Sequence, residues 1–109
     1  LAARFNARGW DTFRLNFRDH GGTHHLNRDV FHSCRIDEVV GAVAWAARRW
    51  QPRQLGIAGY SLGGNFALRV ALRAPARGIP LGAALAVCPA IRPRHILDAL
   101  ERGPRLYHD

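Results

Sequence analysis

Residues 55–65 of the chain read LGIAGYSLGGN, and the hydrophobic pattern changes within this stretch from that of a strand to that of a helix. Residues 55–60 form a short run of apolar and small side chains, which is typical of a buried strand in a parallel sheet. Residues 62–74 are apolar on nearly every side except at Asn65 and at two arginines, and a proline follows them. That pattern predicts a helix packed against a sheet, so the stretch as a whole indicates an α/β fold.

The same alternation of strand and helix continues on both sides of this stretch. Residues 12–17 alternate apolar and polar side chains and predict a strand, and residues 34–50 repeat apolar side chains with a helical period and predict an amphipathic helix. Residues 83–88 are again small and apolar and predict a third strand. We therefore predict a parallel sheet of strands 12–17, 55–60 and 83–88, joined by crossover helices over 34–50 and 62–74.

The flanks of these elements carry weaker signals. Residues 1–8 predict the end of a helix that stops at Gly9, and Ser33 is the predicted N-cap of the helix over 34–50. Residues 93–102 predict a further amphipathic helix. We expect Trp45 and Trp50 to lie in the core or in the wall of a pocket.

Length, composition and charge exclude several classes of protein. The chain has 109 residues, of which 48% are hydrophobic and 22% charged, and this is typical of one globular domain rather than of a disordered or coiled-coil chain. The net charge of +8 comes from 16 basic residues, all arginine, against eight acidic residues. The arginines are dispersed, so we predict no nucleic-acid partner. No apolar run approaches ~18 residues, so we predict no membrane span.

The two cysteines, Cys34 and Cys88, are too few for a disulfide framework and suit a reducing compartment, so we expect a cytoplasmic protein. We interpret Cys88 as a small buried residue at a strand end and Cys34 as a residue at a helix start. The chain contains no methionine and begins at Leu1. Since translation starts at methionine, we expect residues 1–109 to be one incomplete core fragment of a longer protein.

Residues 59–63, GYSLG, have the form G-x-S-x-G and lie where the predicted strand meets the predicted helix. A nucleophilic serine on such a turn adopts a strained conformation in which side chains two residues before and two residues after it would collide, which explains Gly59 and Gly63. The turn exposes the Ser61 hydroxyl above the sheet, where a histidine from another loop can take its proton. The N–H of Leu62 and the helix N-terminus suit a developing oxyanion.

Two plainer interpretations of this motif compete with the nucleophile. One is a glycine-rich turn that holds a serine by chance. The other is a phosphate-binding loop, but such a loop usually carries a lysine and the chain has none.

The stretch 59–65, GYSLGGN, which includes Gly64, closely resembles the nucleophile elbow of the α/β-hydrolase superfamily. Residues 16–21, NFRDHG, resemble the Asn-x-Arg-Gly loop of its YheT-like and ABHD-type branch, although Asp and His stand where that branch usually has Gly and another residue. The resemblance covers about residues 1–90, and it implies that about 91–109 lead toward a cap region. The fold implied is a partial α/β-hydrolase fold, with the three predicted strands as its fourth, fifth and sixth.

The resemblance also implies an activity. It points to a serine hydrolase that cleaves a carboxylic ester or a related acyl compound through an acyl-enzyme on Ser61, with the Leu62 N–H as an oxyanion donor. It implies no organic cofactor and no metal, and the implied partner is a small-molecule substrate. Tyr60, directly before the serine, is the candidate substrate contact. The alternative is a non-catalytic scaffold or interaction module that keeps the elbow, and a basic nucleic-acid binder is a more distant one.

The superfamily places an acid and then a histidine after the serine along the chain. Asp98 and His108 have that order, but they are ten residues apart across a helix and a Gly-Pro pair. We therefore expect the triad partners to lie beyond residue 109 and the 109 residues alone to lack useful activity. The sequence His-Gly-Gly at 20–22 falls one structural unit too late to be the oxyanion loop. Sheet edges left open by missing strands would favour self-association.

The histidine-rich stretch from 19 to 34 offers candidate metal ligands. They are Asp19, His20, His24, His25, Asp29, His32 and Cys34. Two consecutive glycines break any helix that would bring His20 and His24 together, and neither C-x-x-C nor H-E-x-x-H occurs. We interpret these residues as exposed loop side chains and predict no metal site.

Overall fold

The structure is a computed structural model that describes residues 1–17, 21–22, 24–26, 32, 34–92, 94–95, 98 and 102. The chain divides into two compact units, residues 1–32 and residues 33–109. The interpretation of residues 1–109 as one incomplete core fragment stays a prediction. Of the predicted helix over 93–102, residues 94–95, 98 and 102 are described and the other six lie outside the described residues.

The first unit begins with the short helix α1, Ala2–Asn6. Gly9 follows with a φ of +83°, in the left-handed region that glycine adopts without strain. The Trp10 N–H donates to the Phe5 carbonyl across this turn at 3.1 Å, which closes the end of the helix. The predicted helix end with Gly9 as its stop is confirmed. A single 3-10 turn, His24–Leu26, is the other helical segment described in this unit.

The predicted strand over residues 12–17 is wrong. Leu15 and Phe17 are half-buried and the polar residues between and before them are exposed, as the alternation predicts, but Phe13 is exposed as well. In the described part of the chain these residues pair with no other strand. Alternation decides which side chains share a face, whereas a strand also needs a partner for its backbone hydrogen bonds.

The second unit contains helix α2, Ile36–Trp50, strand β1, Leu55–Tyr60, helix α3, Leu62–Arg73, and strand β2, Leu81–Val87. The two strands are parallel, with Ile57 opposite Ala84 and Tyr60 opposite Val87. Parallel strands joined by a crossover helix confirm the predicted α/β class. Each of these elements agrees with its predicted bounds to within two residues.

Helix α2 begins at Ile36, and Arg35 occupies its N-cap position, so the predicted N-cap at Ser33 is wrong. Asp37 and Glu38 lie in its first turn and two arginines in its last, so the charges complement the helix dipole at both ends. The Arg35 guanidinium also pairs with the Glu38 carboxylate at 2.8 Å.

The core lies on one face of the sheet. Helix α3 packs on both strands and α2 packs on α3, so Phe66 and Val70 of α3 and Val40 of α2 are completely or almost completely buried. The buried apolar residues are Ile36, Val39, Val40, Ala44, Ala46, Phe66, Ala67, Val70, Ala74, Ile79 and Ala90. Burial of such side chains from water is the main stabilising contribution to this unit.

The opposite face of the sheet is open among the described residues. Along β1, half-buried residues alternate with exposed ones, and Tyr60 is 58% exposed. The prediction of a strand buried on both faces is therefore wrong for this structure. Trp45 and Trp50 of α2, expected in the core or a pocket wall, are each about half exposed and pack edge to face, with ring centroids 5.4 Å apart. Within the described residues, no helix combines the length and apolar character needed to cross a bilayer.

Candidate functional site

The serine turn, residues 59–65, passes from the last residues of β1 into the first turn of α3. Between the two elements lies a single residue, Ser61, whose φ is +50° and whose ψ is −118°. An L-residue seldom adopts this conformation, and holding one there costs about 1–3 kcal/mol. The Ser61 side chain is exposed. The turn therefore presents a hydroxyl at the carboxyl end of β1, in a strained backbone conformation.

The Ser61 hydroxyl does not cap helix α3. A serine at the N-cap position commonly accepts a hydrogen bond from an N–H of the first helical turn. Here Ser61 occupies the N-cap position but its side chain makes no such bond. Local stabilisation of the helix therefore does not account for this exposed serine.

The first residue of α3 is Leu62. The first N–H groups of a helix have no acceptor within the helix, and the helix dipole adds a partial positive charge at the same end. The Leu62 N–H can therefore donate to an anionic oxygen held next to Ser61.

Gly59 and Gly64 fit the turn because they have no side chain. A Cβ on Gly59 would lie 2.2 Å from the carbonyl oxygen of Gly63, which is closer than any real contact. A Cβ on Gly64 would lie 3.0 Å from the Gly59 oxygen and 3.3 Å from the Cα of Pro89. All of these neighbours are backbone atoms, which cannot rotate away as a side chain can.

The predicted steric reason for Gly63 is wrong. A Cβ at that position would meet no heavy atom within 4 Å. The backbone of Gly63 lies close to Gly59, but the space around its own Cα is open, so the turn does not require Gly63 to lack a side chain. The tight glycine on the helix side of the turn is Gly64.

Residues at the end of β2 and just after it form hydrogen bonds to the serine turn. The Ser61 N–H donates to the Val87 carbonyl at 3.0 Å, and the Ala90 N–H donates to the Ser61 carbonyl at 3.1 Å. The side-chain amide of Asn65 donates to the Ala90 carbonyl at 2.9 Å. Sequence reasoning did not assign a role to Asn65 or Ala90. The signal was present, because Asn65 is the single uncharged polar side chain of α3.

Cys88 directly follows β2 as Ser61 directly follows β1, and it too is a non-glycine residue with a positive φ, of 46°. Its side chain is an exposed free thiol, so the prediction of a buried Cys88 is wrong. Cys34, close to the start of α2, is also exposed and forms no disulfide.

Apart from Tyr60, the other candidate site residues lie outside the serine turn or outside the described residues. Tyr60 precedes the serine and is exposed, and its contact with substrate stays a prediction. Asp98 is exposed, and His108 lies outside the described residues. Of the candidate metal ligands, Asp19, His20 and Asp29 lie outside the described residues as well. Among the residues that are described, no three His, Cys, Asp or Glu side chains could hold one metal ion together.

One of three comparisons with known proteins identifies a family for the chain. A family model described as alpha/beta hydrolase fold matches residues 1–104. Neither the curated proteins nor the solved structures give a significant match to the chain.

Proposed function

The chain belongs to the α/β-hydrolase fold family, and from this membership we propose that it is part of a serine hydrolase in which Ser61 is the nucleophile. The substrate class is a carboxylic ester or a related acyl compound. The observation that carries the proposal is the exposed Ser61 hydroxyl, held at a φ of +50° between β1 and α3 without a capping bond. Strain of this kind persists where the surrounding structure maintains it, and it concentrates at functional sites.

The chemistry follows from the atoms at the turn. The Ser61 oxygen would attack the substrate carbonyl carbon while a histidine elsewhere in the protein takes the hydroxyl proton. The carbonyl oxygen becomes an oxyanion, which the Leu62 N–H and the N-terminal end of α3 would stabilise. The histidine then returns the proton to the leaving alcohol, and the acyl group stays on Ser61. Water, deprotonated by the same base, releases the acid and restores the serine.

The acid and histidine of such a triad are proposed to lie beyond residue 109. For this reason we propose that the 109 residues alone have no useful turnover, since a serine hydroxyl without a base is a weak nucleophile. The mechanism needs no organic cofactor and no metal ion. Tyr60, exposed and adjacent to the nucleophile, is the side chain we propose for substrate contact.

Three finer assignments belong to the proposal. The YheT-like and ABHD-type branch is supported by the resemblance of residues 16–21, NFRDHG, to its Asn-x-Arg-Gly loop. A cytoplasmic location is supported by two cysteines that form no disulfide, which suits a reducing compartment. Self-association is supported by the open sheet, where Leu85 is 51% exposed and β1 and β2 have no third strand beside them in the described part of the chain.

A fluorophosphonate probe tests the nucleophile in the full-length protein that contains this chain. We expect the probe to label the wild-type protein on Ser61 and to fail on Ser61→Ala. Ser33→Ala is the matched control, because Ser33 is the other serine of the chain, and this variant should label normally. Equal labelling of Ser61→Ala and wild type would contradict the proposal. A correctly folded wild-type protein that resists the probe would favour the non-catalytic scaffold instead.

A further inference from the structure

We propose that Asn65 is a positioning residue that fastens residues 88–90 to the serine turn and so keeps Ser61 in its strained conformation. The inference rests on the proposed function of Ser61 as a nucleophile. It assigns Asn65 no contact with substrate, because its side-chain bonds are directed to Ala90 and Arg69.

The serine turn holds both backbone polar groups of Ala90. Its N–H donates to the Ser61 carbonyl at 3.1 Å, and its carbonyl accepts from the Asn65 side-chain amide at 2.9 Å. At the end of the paired strands, the Ser61 N–H donates to the carbonyl of Val87, the last residue of β2, at 3.0 Å. The bonding between the two chain segments thus continues past the ends of β1 and β2. Asn65 supplies the donor that no backbone group supplies there.

Arg69 fixes which way the Asn65 amide points. A guanidinium nitrogen of Arg69 donates to the Asn65 side-chain oxygen at 3.4 Å, one helical turn further along α3. Arginine carries donors and no acceptor, so the atom facing it must be the amide oxygen. The amide nitrogen then faces Ala90. Arg69 is itself placed with its guanidinium carbon 5.2 Å from the ring centre of the buried Phe66.

The bond between Asn65 and Ala90 matters because the backbone conformation of Ser61 is strained. The Ser61 carbonyl accepts from the Asn65 backbone N–H as well as from Ala90, each at 3.1 Å, so its peptide plane is held from two sides. The bond from Ala90 depends on residues 88–90 staying in place, and Pro89 also packs on Gly64 there. Without the Asn65 side chain, residues 88–90 lose one of these contacts and move away from the serine turn more readily. Ser61 would then relax toward an ordinary conformation and carry its hydroxyl out of line for attack.

The variant Asn65→Asp isolates this contact. Its carboxylate still faces Arg69 with an acceptor, but it has no hydrogen to donate to Ala90. In the full-length protein we expect the rate of Ser61 labelling by a fluorophosphonate to fall by about 10- to 100-fold, the effect of a displaced nucleophile. We also expect the Ala90 amide hydrogen to exchange with solvent faster, because its bond to Ser61 opens more often.

Val70→Ala is the matched control for a loss of stability alone. Val70 lies on the same helix and is completely buried, and no bond connects it to residues 88–90. It should lower the melting temperature and leave the labelling rate of the folded protein unchanged. If Asn65→Asp slows labelling no more than Val70→Ala at an equal loss in melting temperature, Asn65 is merely structural and the inference is wrong.

Hydrogen exchange separates this inference from the proposed function. If the probe does not label even the wild-type protein, the nucleophile is wrong and the catalytic part of the inference falls with it. Whether Asn65 holds residues 88–90 at the serine turn is still tested by the hydrogen-exchange rate of the Ala90 amide. Unchanged exchange at Ala90 in Asn65→Asp would overturn it, whatever the labelling shows.

Discussion

The two ends of helix α3 join the same sheet in different ways. At its N-terminal end a single residue, Ser61, separates the helix from β1, with a φ of +50° and a ψ of −118°. At its C-terminal end a 3-10 turn, Pro75–Arg77, leads through Gly78 to β2. Gly78 has a φ of +64° and a ψ of +26°, which is the usual left-handed conformation of a glycine after a helix.

The two ends also use glycine for different reasons. A Cβ on Gly78 would meet nothing within 4 Å, so this glycine supplies conformation only. A Cβ on Gly59 would overlap the backbone of Gly63 at 2.2 Å, so Gly59 supplies space. The C-terminal connection places its positive φ on a residue that tolerates it, whereas the N-terminal connection places it on a serine. Joining α3 to the sheet therefore does not in itself require strain, and the strain at Ser61 points to the chemistry of its side chain.

Of the variants that test this difference between the two ends of α3, Gly59→Ala is expected to have the largest effect on stability. The new methyl group would overlap backbone atoms that can move only if the serine turn opens, so we expect the free energy of unfolding to fall by about 3 kcal/mol or more. Urea titration followed by circular dichroism measures the loss. Gly78→Ala is the control, and it should cost only about 1 kcal/mol, the strain of an L-residue in the left-handed region. Gly59 itself has no positive φ, so a loss no larger than that of Gly78→Ala would show that the turn accommodates the methyl group and that Gly59 is not needed for space.

Ser61→Gly is expected to act in the opposite direction. Glycine adopts a positive φ readily, so this variant should gain about 1 kcal/mol in the free energy of unfolding while it loses all labelling by the fluorophosphonate. Ser61→Ala removes the same hydroxyl but keeps a Cβ, and it should gain nothing. Equal stability of the glycine and alanine variants would mean that Ser61 is not strained.

The sequence predicts the second unit well because the signals there are local. Helix α2 repeats its apolar side chains within its own length, and β1 and α3 meet at a motif whose residues are all adjacent. Residues 12–17 carry an equally regular pattern and form no strand, because strand pairing depends on a distant part of the chain. The open face of the sheet was not foreseen for a similar reason. An apolar strand is compatible with one covered face or with two.

The same distinction applies within the candidate site. The spacing G-x-S-x-G places Ser61 and Leu62 at the junction of strand and helix, where the structure has them. It contains no information about Ala90, which lies 25 residues from Asn65 along the chain and is brought to it by the pairing of β2 with β1. Motif spacing also assigned Gly63 a steric role that the backbone geometry gives to Gly64.

Gly63→Ala therefore tests whether Gly63 is needed for space, as the motif predicts, or not, as the backbone geometry indicates. Its expected effect on stability is the smallest of these variants. The position lies in the first turn of α3, and a Cβ there would meet no heavy atom within 4 Å. Alanine favours the helix over glycine, so we expect the free energy of unfolding to stay the same or to rise by up to about 0.5–1 kcal/mol. The labelling rate of Ser61 should not change, because the Leu62 N–H and the bonds of Ser61 are untouched. Gly63→Ala and Gly59→Ala both add one methyl group, two residues after and two residues before Ser61, so the two variants differ in the surroundings of that methyl group. A loss of stability as large as that of Gly59→Ala would restore the explanation from spacing and would show that the turn needs space on both sides of Ser61.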